Sequence, residues 1–412
     1  MRPFAAFFAS IVVGVSGACG PSQLGGNTGT AGTGGGAAGG AGGSIDIGTG
    51  IGGVAGGGGD SITGNDLTEW PVPFPNSMPF QIAATDDSVF YLTKDDAMRV
   101  GRLDVATARF TEWTTPCTAT SPGDIQVANG QVFFTCASFG EIGQLNVSTG
   151  QLTRWALPIA APPAEPTQGP WSLAVPSGRE IFFEADDANG SYIGCLDTFT
   201  GGLRTWSFPG ATASKVVVAP DGSVLFTTWN GFGPYQIVRL DPTTGVFTSW
   251  SLTTQPLFPL VVADDGSLFF EEGSSEFTGV ARLVPSTGRL TEWETPEYPN
   301  DSLASHGGRV YLGSDGGLLL SALDPRVRGS DRNIVPIVSA PVAPQEFGLS
   351  SITTPLPVEE TIGVASRRIL PSQTVGAFVT WTLGTPPRMT ASIPSALYFT
   401  EDAYGIIARL TP

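Results

Sequence analysis

Three stretches place carboxylates directly after an apolar run: "LFFEE" (268–272), "LPVEE" (356–360) and "LYFTED" (397–402). Carboxylate oxygens are the ligands a hard cation such as Mg²⁺ or Ca²⁺ requires. Glu360 and Glu401 are therefore candidate metal ligands. Together with Glu272 they are the candidate catalytic groups of a metal-dependent lyase or hydrolase, in which the cation would polarise a carbonyl. The bland alternative is a solvated rim of acids that requires no cofactor. A second group joins aromatics to acids: Trp171 and Trp229 with Glu184, Asp187 and Asp402. Such a mixture on a concave face suits a sugar or a peptide. A base is harder to find. The only histidine, His306, lies in "LASHGGRVYL", and its Gly-Gly places it in a turn. No CxxC, HExxH, P-loop or GxSxG pattern occurs.

These residues need elements to position them, and the chain repeats one element. "DLTEWPVP" (66–73) returns as "FTEWTTP", "LTRWALP", "LRTWSFP", "FTSWSL" and "LTEWETP". Residues 214–252 show a whole unit: "KVVVA", the turn "PDGS", "VLFTT", a loop, "QIVRLDP", the turn "TTG" and "VFTSWSL". Asp-Gly supplies the positive φ of a tight hairpin. Four short antiparallel strands at a period of 40–45 residues describe a β-propeller blade. The interval from Trp293 to Trp381 is twice the usual spacing, so a degenerate unit is expected between them, with "NIVPIVSAP" (333–341) as its Trp strand without the Trp. The fold expected is all-β: a single propeller of eight four-stranded blades. The alternative is seven, with 339–371 as an insertion. The last unit, ending in "IIARLTP", lacks its fourth strand. Strand 67–73 from the start of the domain supplies it by pairing with 405–412, which closes the ring and removes a free sheet edge.

The patterns "G-x-L-F-F-E-E", "I-G-x-L", "A-L-Y-F-T-E" and "T-E-W-x-T-P" resemble those of the streptogramin B lyases, also called the virginiamycin B lyase family. The resemblance covers nearly all of 67–412. It implies a propeller scaffold, with a histidine base and a metal ion held by glutamates on one face. The family's motif glutamate falls at Glu272, Glu360 and Glu401. Where the family has its "P-H-G-I" histidines, this chain reads "PFQI", "GDI", "PWSL" and "FPL". The resemblance is therefore one of scaffold, without the base that an elimination at a Cα proton needs.

Residues 1–19 combine Arg2, an apolar run from Phe4 to Val15 and "SGAC", which resembles a bacterial lipobox ending at Cys19, the expected lipidation site. Residues 20–65 are nearly all Gly, Ala, Ser and Thr, a composition that makes a disordered tether. The propeller is then 66–412. The expected location is the bacterial cell envelope, as an outer-membrane lipoprotein, with a periplasmic or secreted protein as the alternative. That compartment permits a disulfide, for which Cys117 and Cys136 are the candidates. A formal charge of −17 argues against nucleic acid and against anionic membranes, leaving the lipid as the membrane contact. The reading is a monomeric binding module for a small molecule, glycan or protein. A metal-dependent lyase or hydrolase is the alternative.

Overall fold

Short apolar runs separated by tight turns, such as Asp221-Gly222 and Thr244-Gly245 in 214–252, fold into antiparallel strands throughout the computed structural model. It describes residues 66–411, apart from 76, 95–96, 119–122, 159–168, 188–189, 209–211, 230–234, 274–277, 296–298, 315–318, 365–366, 370–372, 376, 384–386 and 402–404. No described helix is long and apolar enough to cross a membrane.

The strands form seven sheets, the blades of one propeller. Blades 1 to 7 begin with the innermost strands Pro79–Ala84, Ile125–Ala128, Leu173–Ala174, Thr212–Val218, Gln255–Val262, Pro299–His306 and Pro387–Ile393. The opening strand of the domain, Asp66–Pro71, pairs antiparallel with Ile406–Thr411 and completes blade 7. Its two faces bind different neighbours. Leu67 packs with Tyr311 and Trp381 of blade 6, and Trp70 packs with Ile82 and Tyr91 of blade 1.

Inside a blade, the second strand sets a ring against a small residue of the third. Tyr91 faces Gly101, Phe134 faces Gly143 and Phe183 faces Gly194. A Cβ on these glycines would lie 2.0, 2.5 and 2.2 Å from the ring. The "I-G-x-L" pattern is thus a packing requirement: the ring occupies the space of the missing side chain. Between blades, seven apolar clusters each draw on two consecutive blades, one for every seam. The recurring Trp residues, such as Trp155, Trp206 and Trp250, are fully buried in these seams.

The expectation of eight blades is overturned. Segment 333–372 does not build a blade. After Leu319–Leu323, the third strand of blade 6, the chain leaves the ring and runs around its outside. Ser330–Asn333, Ile337–Val338, Gln345–Gly348, Ser351–Pro355, Val358–Gly363 and Arg367–Ile369 add a fifth strand to blades 5, 4, 3, 2, 1 and 7 in turn. The chain then returns to blade 6, where Gln373–Val375 turns into Phe378–Thr382, its fourth strand and the bearer of Trp381. The result is a belt around the whole propeller. Its residues could not form a blade because they bring no buried second-strand aromatic, and most of those described lie exposed (Val335 is 82% exposed).

The belt is seated at regular intervals of seven or eight residues. The backbone N–H groups of Ile334, Val342, Leu349, Leu356 and Val364 donate to the carbonyls of Gly288, Gly245, Gly201, Gly150 and Ala108 at 2.7–3.0 Å. Those carbonyls belong to the turns between third and fourth strands. The five aliphatic side chains pack against five successive seams. Gly245 has φ +70°, and a Cβ there would lie 2.0 Å from the Val342 carbonyl oxygen.

Candidate functional site

The seven innermost strands surround a central channel of about 400 Å³. Five of them carry a register shift near the end where they begin: Pro79/Gln81, Ser214/Val216, Leu257/Leu260, Pro299/Leu303 and Pro387/Thr390. A bulge re-aims the side chain it carries and is common beside functional sites. In blade 4 the bulged residue is Lys215, one of two lysines in the chain. It reaches past blade 3 to Asp124 of blade 2, with Nζ 2.6 Å from Oδ2. Asp124 is 3% exposed and accepts from three further donors: Ser172 Oγ at 3.1 Å, Leu173 N at 3.3 Å and Ile125 N at 3.0 Å. Ser172 Oγ in turn accepts from Val216 N at 3.0 Å. Three blades are therefore tied together at the channel mouth by one charge-paired network.

Behind it sits Glu184, also buried, on the second strand of blade 3. Its Oε1 accepts from the backbone N–H of Trp171 and of Ser172, both at 3.0 Å, and its Oε2 has no partner. Burial pushes its pKa up to about 8; the charges of Asp186 and Asp124 add to this, against the two backbone donors. At neutral pH Glu184 is a protonated acid whose Oε2 can donate. The sign of its effect on stability follows. The folded chain holds a proton that the unfolded chain releases near 4.5, so this contribution is present below that pH and is lost as pH rises to about 8. Glu184→Gln keeps the acceptor for the two N–H groups and removes the titration. It is expected to melt with the wild type in acid and to be more stable above pH 8, by a few kcal/mol. Melting curves across pH check this; parallel curves would refute it.

The sequence-based candidates scatter. Glu360 lies in the belt strand Val358–Gly363 on the outer edge of blade 1, not at a second-strand end. Glu401 ends the second strand of blade 7, so the two do not stand on neighbouring second strands, and that basis for a shared cation is gone. Glu272 is at a second-strand end, in blade 5, but faces the belt. Its Oε1 accepts from Thr254 Oγ1 at 2.6 Å and lies 3.9 Å from Arg332 of the belt, and burial raises its pKa to about 7. Trp171 stands just before the innermost strand of blade 3. Trp229 ends the second strand of blade 4, opposite Thr212, and Asp187 that of blade 3, opposite Gly190. Cys19 and Asp402 lie outside the described residues. Cys117 and Cys136 are joined by a disulfide, with Cα atoms 5.7 Å apart. Among the described residues no three His, Cys, Asp or Glu side chains gather as a metal set.

Asp124, Ser172 and Lys215 were not singled out from the sequence. A signal existed: each is a polar residue at the mouth of an apolar inner-strand run, and Lys215 is a rarity of type. Their meeting across 91 residues of chain was not legible.

No family model and no curated protein matches the chain. Among solved structures it superposes on virginiamycin B lyase from Staphylococcus aureus with a TM-score of 0.59 at 17% identity, covering 85% of this chain and 100% of that one. A catalytically inactive histidine-to-alanine variant of that enzyme, with quinupristin, gives 0.60 at 15% identity over the same shares. The chain has the virginiamycin B lyase scaffold. At this identity the likeness establishes the fold and nothing finer. His306 lies at the far end of its blade, paired with Arg309 in the hairpin, buried, and outside the channel lining. Burial holds its pKa below the usual imidazole range.

Proposed function

We propose that this chain is an exported, lipid-anchored binding module that takes an uncharged polar ligand, a peptide or a glycan, at the mouth of its channel. The observation that carries this is the bulged Lys215 held on Asp124 across blade 3, which builds a polar wall without net charge. Gln81, Gln126 and Ser305 add amide and hydroxyl groups to the lining. A cavity of about 400 Å³ with a few convergent polar groups is of ligand-site size. The lipobox-like "SGAC" and the Gly-rich stretch after it support export and tethering. A lyase reading is favoured only by the scaffold, and the channel lining offers no histidine among the described residues.

The test is incubation of the chain with quinupristin and with short peptides and glycans. Native mass spectrometry reads binding, and the mass of the free ligand reads ring opening. Binding without turnover is expected. It should weaken roughly tenfold or more in Gln126→Ala, which removes a lining amide without touching the ion pair. Ring opening would replace this reading with an enzymatic one. Failure of every probe to bind would remove the channel from consideration.

A further inference from the structure

The central channel is not uniform around its circumference. On blades 3, 4 and 5 its half-buried lining is mainly aliphatic: Val175, Val217, Val218, Val261 and Val262. On blades 6, 7, 1 and 2 the accessible lining is mainly polar: Ser305, Ser392, Gln81 and Gln126. Each set occupies consecutive blades, so the wall divides into one aliphatic arc and one polar arc. Among the described residues, none of the four polar side chains has a hydrogen-bond partner. The charged residues of the described lining, Asp124 and Lys215, pair with each other at the mouth. No described lining residue is aromatic.

The backbone adds a third element. Each innermost strand is the last of its sheet, so its channel-side edge pairs with no other strand. Part of that edge is occupied: the N–H groups of Leu173 and Val216 donate to Asp124 and to Ser172 Oγ. A free strand edge otherwise offers N–H and C=O groups that an extended chain can match.

We propose that the ligand of the channel is a short extended peptide whose side chains alternate between aliphatic and small polar, an inference that rests on the binding reading above and narrows it. An extended chain sends successive side chains to opposite sides. Such a peptide lays its aliphatic side chains on the valine arc and its polar ones on the serine and glutamine arc at the same time. Its own backbone meets the free strand edges. The competing ligand classes use less of the wall. A sugar carries hydroxyls around its ring, half of which would face valines, and its apolar face finds no aromatic ring in the described lining. A plain alkyl chain would leave the amides and hydroxyls of the polar arc unmatched.

Three uncharged probes are titrated into the full chain by calorimetry: a capped pentapeptide of alternating valine and serine, its isomer with the three valines in one block, and maltotriose. The alternating peptide is expected to bind about tenfold or more tighter than its isomer, which has the same composition. Val217→Thr with Val261→Thr keeps the shape of both side chains but places hydroxyls on the aliphatic arc, so it should erase most of that preference. Gln81→Ala, on the polar arc, should weaken the alternating peptide whether or not the first variant folds. Equal binding of the two peptides, or a preference that both variants leave intact, overturns this inference and leaves the binding reading standing. Maltotriose bound in place of the peptides also overturns it, in favour of a glycan. Failure of all three probes to bind takes down both readings.

Discussion

Replacing Leu67 and Trp70 together by alanine is expected to open the ring at blade 7. Both belong to the strand Asp66–Pro71, which is held to the rest of its blade by hydrogen bonds to Ile406–Thr411. They point to opposite faces, and each anchors a different seam. Truncating a buried leucine costs about 2–5 kcal/mol and a buried tryptophan about 3–5. The sites share no cluster, so the costs should nearly add, to roughly 5–10 kcal/mol. A domain is typically stable by about 5–15 kcal/mol, so the double variant should be largely unfolded or open at physiological temperature. Thermal melting and limited proteolysis read the result. A melting temperature close to that of the wild type would mean that the ring does not depend on this strand for closure.

Gly245→Ala is expected to release the belt from blade 4, and Gly222→Ala is the control that shows why. Both glycines have a left-handed backbone, φ +70° and +82°. An alanine in either pays the same conformational cost, about 1–2 kcal/mol. They differ in what the new methyl meets. At Gly222 nothing lies within 4 Å, whereas at Gly245 the Val342 carbonyl oxygen lies 2.0 Å away. Backbone against backbone cannot yield by a rotamer change, so the belt must move, at a further cost of about 1–3 kcal/mol. The bonds from Val342 N to Gly245 O and from Ser339 N to Phe247 O should then exchange with solvent faster. Hydrogen exchange at Ser339 and Val342 measures this directly. Equal protection in the two variants would show that the seat does not depend on the missing side chain.

The propeller was legible because its repeats record burial. Each Trp strand fills a seam, and Asp221-Gly222 and Asp265-Gly266 mark hairpins, so the period and the closure by strand 67–73, found at Asp66–Pro71, could be read from the sequence. The blade count was not. The belt is about as long as one blade and contains short strand-forming runs. "VEETIGVASRR" looks like a second and third strand until Val358–Gly363 is seen to pair on the outer edge of blade 1. The seats at Ile334, Val342, Leu349, Leu356 and Val364 do show in the sequence as a period of seven to eight, but a period has no meaning until the spacing of the turns it visits is known. The candidate site was less legible still. Glu360 was placed by analogy to a blade that does not exist. Asp124 and Lys215 meet only because a bulge turns a lysine across an intervening blade.

A belt that begins and ends in the same blade also changes how the ring would yield to force. An unbelted propeller fails at its weakest seam, because parting one seam leaves the other six unstrained. Here, parting any seam lengthens the perimeter, and the belt follows that perimeter from blade 5 back to blade 6. Strain at one seam is therefore shared among all the seats. The ends of the belt are clamped to each other through the ladder of Leu319–Leu323 with Phe378–Thr382. The protein behaves as a hooped barrel, in which the staves are held by circumference as well as by their own joints.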